Sequence, residues 1–179
     1  TAKWINVQSS LKADFRIINP LGCAPLLSSF VNTSAPLSQV KKIWYKVLAD
    51  SFPGPNGSYL FYNSGVYTVR MELMDDKNCL HVVEKTDSIR VFGAEPAFHS
   101  TPNLGCMPIL VQTRDTSHSD LPIVKRVWTW NFSDSSVYVH PDSLESRFRF
   151  VQPPVNQSDG ISLKLTLIDS FGCVYSGSK

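Results

Sequence analysis

The feature that most constrains this chain is an internal repeat. Residues 15–34 read FRIINPLGCAPLLSSFVNTS, and the segment 83 positions later, residues 98–117, reads FHSTPNLGCMPILVQTRDTS. A second block, YTVRMELMDDKNC at residues 67–79, returns 94 positions later as ISLKLTLIDSFGC. Such self-similarity predicts two copies of one structural unit. The offsets differ by eleven, so we expect extra residues in the second copy, within residues 137–158.

Apolar and polar residues alternate strictly in the second block of each copy. The first copy has apolar side chains at every second position: Tyr67, Val69, Met71 and Leu73. The second copy does the same with Ile161, Leu163, Leu165 and Leu167. A period of two predicts a half-buried β-strand. Twelve Pro and nine Gly separate further short runs rich in Val, Ile, Phe and Tyr, so we expect an all-β chain of two tandem immunoglobulin-like β-sandwiches with almost no helix.

The repeat also predicts where the units begin and end. We expect a first sandwich over residues 11–93 and a second over residues 94–179. Residues 3–7, KWINV, precede Phe15 much as residues 87–91, DSIRV, precede Phe98, so residues 1–10 are interpreted as the closing strand of a preceding module or a linker. The second sandwich would then lack its own last strand. An exposed sheet edge recruits strands, which predicts a contact with residues 1–8 of a neighbouring molecule.

Aromatic residues lie midway between the two blocks of each copy. Ile43-Trp44-Tyr45 and the segment VWTWNF at residues 127–132 are expected to fill the sandwich interiors. When these segments are aligned at an offset of 84, Lys46 corresponds to Trp130. That alignment predicts a bulge or an edge position in the first copy at Lys46.

Four cysteines fall two to a copy: Cys23 and Cys79, then Cys106 and Cys173. This count favours one internal disulfide in each unit and an oxidising, extracellular location. Closing loops of this length would stabilise each unit by ~4 kcal/mol in the chain-entropy model. The alternative is a cytosolic protein whose cysteines are simply buried thiols.

At these positions the chain resembles the PKD (polycystic kidney disease) domain family, in particular the tandem modules of bacterial, Bacteroidetes-like surface proteins. The similar motifs are GCAPL at 22–26 with NTS at 32–34, GVYTV at 65–69, and WNFSD at 130–134. The resemblance implies a seven-stranded sandwich used as a spacer, an adhesive module or an accessory to a catalytic domain. It carries no catalytic residues with it.

Charge and motif content argue against several functions. A formal net charge of +2, with 18% charged residues, supplies no field that would hold nucleic acid or an anionic membrane. No run approaches the ~20 apolar residues of a membrane span. No nucleophile elbow, phosphate loop or zinc-ligand spacing is present. We therefore expect no enzymatic activity, no cofactor, no nucleic-acid partner and no membrane insertion.

Three groups of residues are candidates for binding. The run at Tyr59, Phe61 and Tyr62 cannot face inward as a whole, which predicts a contact patch, although aromatic residues of small sandwiches mostly fill the core. Carboxylates suited to calcium are Asp75, Asp76 and Asp169, but aspartates are also ordinary turn residues. The histidines have no metal-ligand spacing and are expected at the surface or in strand packing: His81, His99, His118 and His140.

Together these patterns predict a non-catalytic extracellular module of a large surface or secreted repeat protein. It would act as a spacer and adhesion module, touching a protein or glycan at the cell surface and the neighbouring modules of its own chain. The first alternative is an accessory carbohydrate-binding pair of a secreted hydrolase. The second is a piece of an enzyme whose catalytic residues lie elsewhere.

Overall fold

A computed structural model describes residues 11–131, 137–141, 143–151 and 161–179. Strands dominate these residues, and their only helical element is a 3₁₀ turn at Leu37–Gln39. The chain divides into two compact units after Val91. The predicted all-β class of sandwich modules is confirmed. The closing strand predicted within residues 1–10 lies outside the described residues, as does part of the range 137–158 in which extra residues are predicted.

Unit 1 consists of a three-stranded and a five-stranded antiparallel sheet. Their orders are β1-β3-β6 and β2-β8-β7-β4-β5. The longest strands, β7 and β8, pair along most of their length with one irregularity between Tyr67 and Val69. The strands are β1 Phe15–Ile18, β2 Leu21–Cys23, β3 Leu26–Asn32, β4 Val40–Val47, β5 Asp50–Pro53, β6 Asn56–Phe61, β7 Gly65–Asp75 and β8 Leu80–Phe92.

The core of unit 1 lies between its two sheets. Alternate residues of β7 are fully buried, as the period of two predicts, and aromatic residues from the other strands meet them. The Tyr45 ring lies 5.7 Å from that of Phe15 and 5.5 Å from that of Phe30, and its hydroxyl donates to the carbonyl of Pro55 at 3.1 Å. Burial raises the pKa of Tyr45 to about 12. The Tyr45 ring is thus packed in the core while its hydroxyl is hydrogen-bonded.

Unit 2 repeats this plan with a four-stranded sheet, β14-β13-β16-β17, facing a three-stranded sheet, β10-β11-β15. β9 and β12 form a separate two-stranded sheet. The core of unit 2 contains Trp128, Trp130 and the leucines of β16. The strands are β9 Ala94–Glu95, β10 Phe98–Thr101, β11 Ile109–Asp115, β12 His118–Ser119, β13 Ile123–Asn131, β14 Val137–Pro141, β15 Glu145–Phe150, β16 Ser162–Asp169 and β17 Val174–Ser178.

The strand register corrects the alignment of the aromatic segments. Tyr45 pairs with Met71, and Trp128 pairs with Leu165, which is the repeat counterpart of Met71. Trp128 therefore corresponds to Tyr45 and not to Trp44. The predicted bulge at Lys46 is wrong, because Val47 takes the place of Trp130. The irregularity of β4 lies instead between Val40 and Lys42, and β13 has the same irregularity between Ile123 and Lys125.

The predicted disulfides, one inside each unit, are also wrong. Cys79 and Cys106 carry exposed free thiols, whereas Cys23 and Cys173 are disulfide-bonded. In unit 1 the reason is strand length. Cys23 ends β2, which pairs with the last part of β8, where the Arg90 amide donates to the Pro20 carbonyl. Cys79 lies between the end of β7 and the start of β8, at the other end of these strands. At ~3.3 Å per residue these ends are tens of ångströms apart, far beyond the ~7 Å limit for bridged Cα atoms.

The turn at the end of β3 in unit 1 and of β11 in unit 2 is built from matching residues, NTS at 32–34 and DTS at 115–117. In unit 2 Asp115 accepts the Ser117 amide at 2.9 Å, and the Arg126 guanidinium lies 2.6 Å away. Burial raises the pKa of Asp115, but the bonds from Ser117 and Arg126 outweigh it and the net pKa is lowered. Its charged form is thus favoured by folding.

Acid should therefore weaken unit 2 through Asp115. A depressed pKa in the folded state contributes stability above the unfolded pKa of ~3.9, and that stability is lost as pH falls through the folded value. Asp115→Asn, which copies the residue of unit 1, should reduce the stability difference between pH 6 and pH 2.5. Urea unfolding at both pH values measures this difference. An identical pH dependence in the variant would contradict the assignment.

No helix among the described residues has the length and hydropathy needed to cross a membrane.

Candidate functional site

The outer face of the five-stranded sheet of unit 1 carries a half-exposed tryptophan. Along β4, Ile43, Tyr45 and Val47 point into the core and are 6%, 0% and 1% exposed. Successive side chains of a strand alternate between faces, so Trp44 points away from the core. It is half-buried, while Lys42 and Lys46 on either side of it are exposed. The local sequence thus places an indole ring on the surface between two ammonium groups.

Neighbouring strands fix the surroundings of Trp44. Pro53 of β5 lies opposite it on one side and Glu72 of β7 on the other. The Lys42 ammonium lies 6.0 Å from the centroid of the indole ring, within cation–π range. Glu72 binds the Lys46 ammonium at 2.8 Å and an Arg70 guanidinium nitrogen at 3.0 Å. The bond from Lys46 is the main reason that the pKa of Glu72 is lowered.

Beside Trp44 the turn between β5 and β6 forms one wall of an open groove of about 520 Å³, which we call the Trp44 groove. Gly54 closes this turn with a φ of +133°, a conformation that strains other residues, and its amide donates to the Ile43 carbonyl at 3.0 Å. Two of the lining residues are lysines and none is acidic. The lining residues are Val40, Lys41, Lys42, Ile43, Trp44, Pro53, Gly54 and Pro55.

Apolar side chains extend this surface beyond the groove. Met74 pairs with Lys42 across β4 and β7, and Leu80 of β8 pairs with Met74. Val82 lies opposite Glu72 in the same register. Leu80 and Val82 are 57% and 45% exposed. The outer face therefore combines one aromatic ring, several aliphatic side chains and a set of ion-paired charges.

The predicted contact patch at Tyr59, Phe61 and Tyr62 does not form a common surface. Phe61 is 1% exposed and belongs to the core, so its place in the patch is wrong. Tyr59 packs between the rings of Phe52 and Phe61, and its hydroxyl donates to Asp50 at 2.6 Å, which raises the pKa of Tyr59. Tyr62 is 72% exposed, while Tyr59 is half-buried. Tyr59 and Phe61 lie two residues apart on the core-facing side of β6, whereas Tyr62 follows the end of that strand.

Two of the aspartates considered as calcium ligands, Asp75 and Asp169, instead stabilise turns by accepting backbone hydrogen bonds. In unit 1, Asp75 accepts the amides of Lys77 and Cys79 at 2.9 and 2.8 Å, and its second oxygen lies 3.1 Å from the imidazole of His81. That contact with His81 is the main cause that lowers the pKa of Asp75. Asp76 is exposed, and its backbone amide bonds the carbonyl of Gln39.

Unit 2 has the same turn. Asp169 accepts the amides of Phe171 and Cys173, both at 2.9 Å, and Tyr175 takes the place of His81, with its hydroxyl 3.4 Å from the second oxygen. Burial, followed by the charge of Asp169, raises the pKa of Tyr175 to about 12. Across the described ranges, no three His, Cys, Asp or Glu side chains are grouped to hold a metal ion.

The other histidines are dispersed. His99 and His118 are exposed on β10 and β12, and His140 lies in β14. The Trp44 groove is not predicted from the sequence, because Trp44 is expected there to lie in the core. The signal was nonetheless present: Trp44 falls between Lys42 and Lys46 at the polar positions of an alternating strand.

No protein-family model matches the chain, and a search of curated proteins found no relative. Among solved structures, the chain is similar to one described under the specificity of carbohydrate-binding modules from the β-sandwich superfamily. The TM-score is 0.43, the identity is 11%, and 96% of each chain is covered. It is also similar to the fibronectin(III)-like modules of Clostridium thermocellum CbhA, with a TM-score of 0.37, 13% identity and coverage of 94% and 91%. These likenesses concern general architecture alone, and the PKD resemblance stays a prediction from the sequence.

Proposed function

We propose that this chain is a non-catalytic extracellular pair of modules that acts as a spacer and adhesion element, and that its contact surface is the Trp44 groove. The observation that carries this proposal is the half-exposed Trp44 ring, held on a sheet face beside an open groove whose charged lining residues are both lysines. The ligand that matches this chemistry is a glycan bearing carboxylate or sulfate groups.

The proposed contact has an apolar and an ionic part. The indole offers a flat apolar surface to the C–H face of a sugar ring. The ammonium groups of Lys41 and Lys42 would bind the acidic substituents through charge-assisted hydrogen bonds. Lys41 is already oriented by a bond of 2.9 Å to the side-chain oxygen of Asn78. Glu72 does not oppose an anion, because Lys46 and Arg70 neutralise it.

A sheet is a suitable support for such a surface. Trp44, Pro53 and Glu72 lie on three paired strands, so their backbone positions are fixed before any ligand arrives. Binding to a preformed site costs less conformational entropy than ordering a loop. The spacer role is supported by the separate cores of the two units, since each is closed by its own pair of facing sheets.

Titration calorimetry with the full chain and sulfated or uronate-containing oligosaccharides tests the proposal. Trp44→Ala should weaken binding at least tenfold, because it removes the stacking surface without touching the core. Lys42→Ala should weaken binding less and reduce its dependence on salt. Tyr62→Ala removes another exposed aromatic ring and is the matched control, which should bind normally. Equal affinity of Trp44→Ala and Tyr62→Ala, or no binding of any acidic oligosaccharide, would refute the proposed contact.

A further inference from the structure

The outer face of the three-stranded sheet of unit 2 carries three arginines. Thr113 of β11 and both Ser146 and Phe150 of β15 are 2%, 0% and 8% exposed, so they point into the unit. The side chains that alternate with them point to the solvent side of the sheet. On β11 and β15 these outward side chains are all exposed, and we call this surface the arginine face. Its residues are Leu110, Gln112, Arg114, Glu145, Arg147 and Arg149.

The strand register places the three arginines side by side. Arg147 and Arg149 are alternate residues of β15, so their Cβ atoms lie ~7 Å apart along the strand. Arg114 of β11 pairs with Glu145, which sets it diagonally opposite Arg147 at ~7–8 Å. On the other side of β11, the exposed His99 of β10 pairs with Arg114. The guanidinium groups therefore rise from adjacent positions of one hydrogen-bonded surface.

Acidic side chains leave most of this positive charge uncompensated. Glu145 is the one carboxylate that points outward from β10, β11 and β15, three strands that the structure describes in full. It lies 3.5 Å from an Arg147 guanidinium nitrogen, and because both side chains are exposed this ion pair is weak. Among the residues that the structure describes, Arg114 and Arg149 form no ion pair. Three guanidinium groups thus meet one carboxylate, and the face is positively charged.

The same sheet of unit 1 is built without these arginines. Along β1, β3 and β6, which are all described, the one basic residue that points outward is Arg16, the counterpart of His99. Matched by strand register, the counterparts of Arg114, Arg147 and Arg149 are Val31, Ser58 and Leu60. The sandwich therefore forms with neutral side chains at these positions. Packing and strand pairing do not require the arginines of unit 2, which favours a role at the surface.

The size and composition of the face favour a narrow ligand. Three strands span ~10 Å at a spacing of ~4.8 Å, and the six residues of β15 extend ~20 Å. Single DNA-reading modules bury ~600 Å² or more, which is several times this area. Sites for single-stranded nucleic acid add aromatic rings on which bases stack. The aromatic residues of these three strands instead pack into the core of unit 2: Phe98, Phe148 and Phe150.

We propose that the arginine face binds the sulfate groups of a sulfated polysaccharide that lies along β15. A guanidinium group donates two parallel N–H bonds to an oxyanion, which a lysine ammonium cannot do. A polysaccharide repeats its sulfate groups along one chain, so it can meet Arg147 and Arg149 in turn and reach Arg114 across the sheet. This second site lies in the other unit from Trp44 and does not depend on the Trp44 groove, although it rests on the extracellular location proposed above.

Titration of the Trp44→Ala chain with dextran sulfate of low molecular mass tests this site apart from the Trp44 groove. The variant should keep the weaker of two binding sites, with an affinity that falls as salt is added, and uncharged dextran should not bind. Adding Arg147→Gln and Arg149→Gln should weaken the remaining binding about tenfold or more, because two bidentate contacts are lost. The matched control, Lys125→Gln with Lys164→Gln, removes the same charge from exposed positions of the other sheet of unit 2 and should change the affinity less than about twofold.

The outcomes separate this site from overall charge and from the Trp44 groove. The substituted arginines and lysines are exposed, so all variants should keep the melting temperature of their parent chain by circular dichroism. Equal losses in the two double variants would overturn the proposal, as would tighter binding of a DNA oligonucleotide than of dextran sulfate. Complete loss of binding in Trp44→Ala alone would overturn this site and leave the Trp44 groove standing. Loss confined to the arginine variant would support this site and count against the Trp44 groove.

Discussion

Replacing Trp128 with alanine should lower the free energy of unfolding of unit 2 by ~3–5 kcal/mol. The side chain is fully buried at the centre of that unit. Its ring meets Phe98 edge-on at 5.5 Å, and its indole N–H donates to the Ser143 carbonyl at 2.8 Å. The substitution therefore opens a cavity and leaves a partly buried carbonyl without its donor. A loss of this size is a large fraction of the stability of a small domain.

Trp44→Ala is the control, because it deletes the same side chain from the outer face of a sheet. Its cost should stay below ~1 kcal/mol, as for surface substitutions in general. Urea unfolding followed by circular dichroism measures both variants without relying on the deleted fluorophore. Comparable losses in the two variants would contradict the assignment of Trp128 to the core and Trp44 to the surface.

Asp169→Ala should be the second most damaging change, with a loss of roughly 2–4 kcal/mol. Asp169 is 1% exposed and accepts two backbone amides at the turn between β16 and β17. Alanine leaves both amides without an acceptor, and each buried unsatisfied group costs ~1–3 kcal/mol. The cost should appear as a lower denaturant midpoint for unit 2 with an unchanged slope.

Asp169→Asn separates hydrogen bonding from charge. Its side-chain oxygen can still accept both amides, so we expect it to recover most of the stability lost in Asp169→Ala. Calcium at millimolar concentration should leave the melting temperature of the unaltered chain unchanged if Asp169 acts as a turn lock. A rise of several degrees on adding calcium, lost in both variants, would instead support a metal site.

Sequence reasoning succeeded where the structural signal is local. The alternation correctly predicted the buried side chains at 69–73 and 163–167, because the side-chain period of a strand depends only on neighbouring residues. The first apolar residue of each series, Tyr67 or Ile161, is only half-buried. The repeat correctly predicted two similar sandwiches. Both inferences need no knowledge of which strands pair.

Predictions from the sequence were wrong where the result depends on which distant residues pair in the fold. Aligning tryptophan with tryptophan placed Trp44 in the core, but a shift of one residue moves a side chain to the other face of a sheet. The strand register instead matches Tyr45 with Trp128. The disulfides failed for a similar reason, since two cysteines in one repeat need not lie at the same end of the sandwich. Connectivity of four cysteines cannot be deduced from spacing alone.

The exposed thiols of Cys79 and Cys106 have a practical consequence. Each unit contributes one reduced sulfur, while the remaining two cysteines are bonded and unreactive toward maleimides. A donor and an acceptor dye can therefore be attached, one on each unit, without any substitution. Energy transfer between them would report directly on the distance between the two sandwiches and on how it responds to pulling, crowding or ligand.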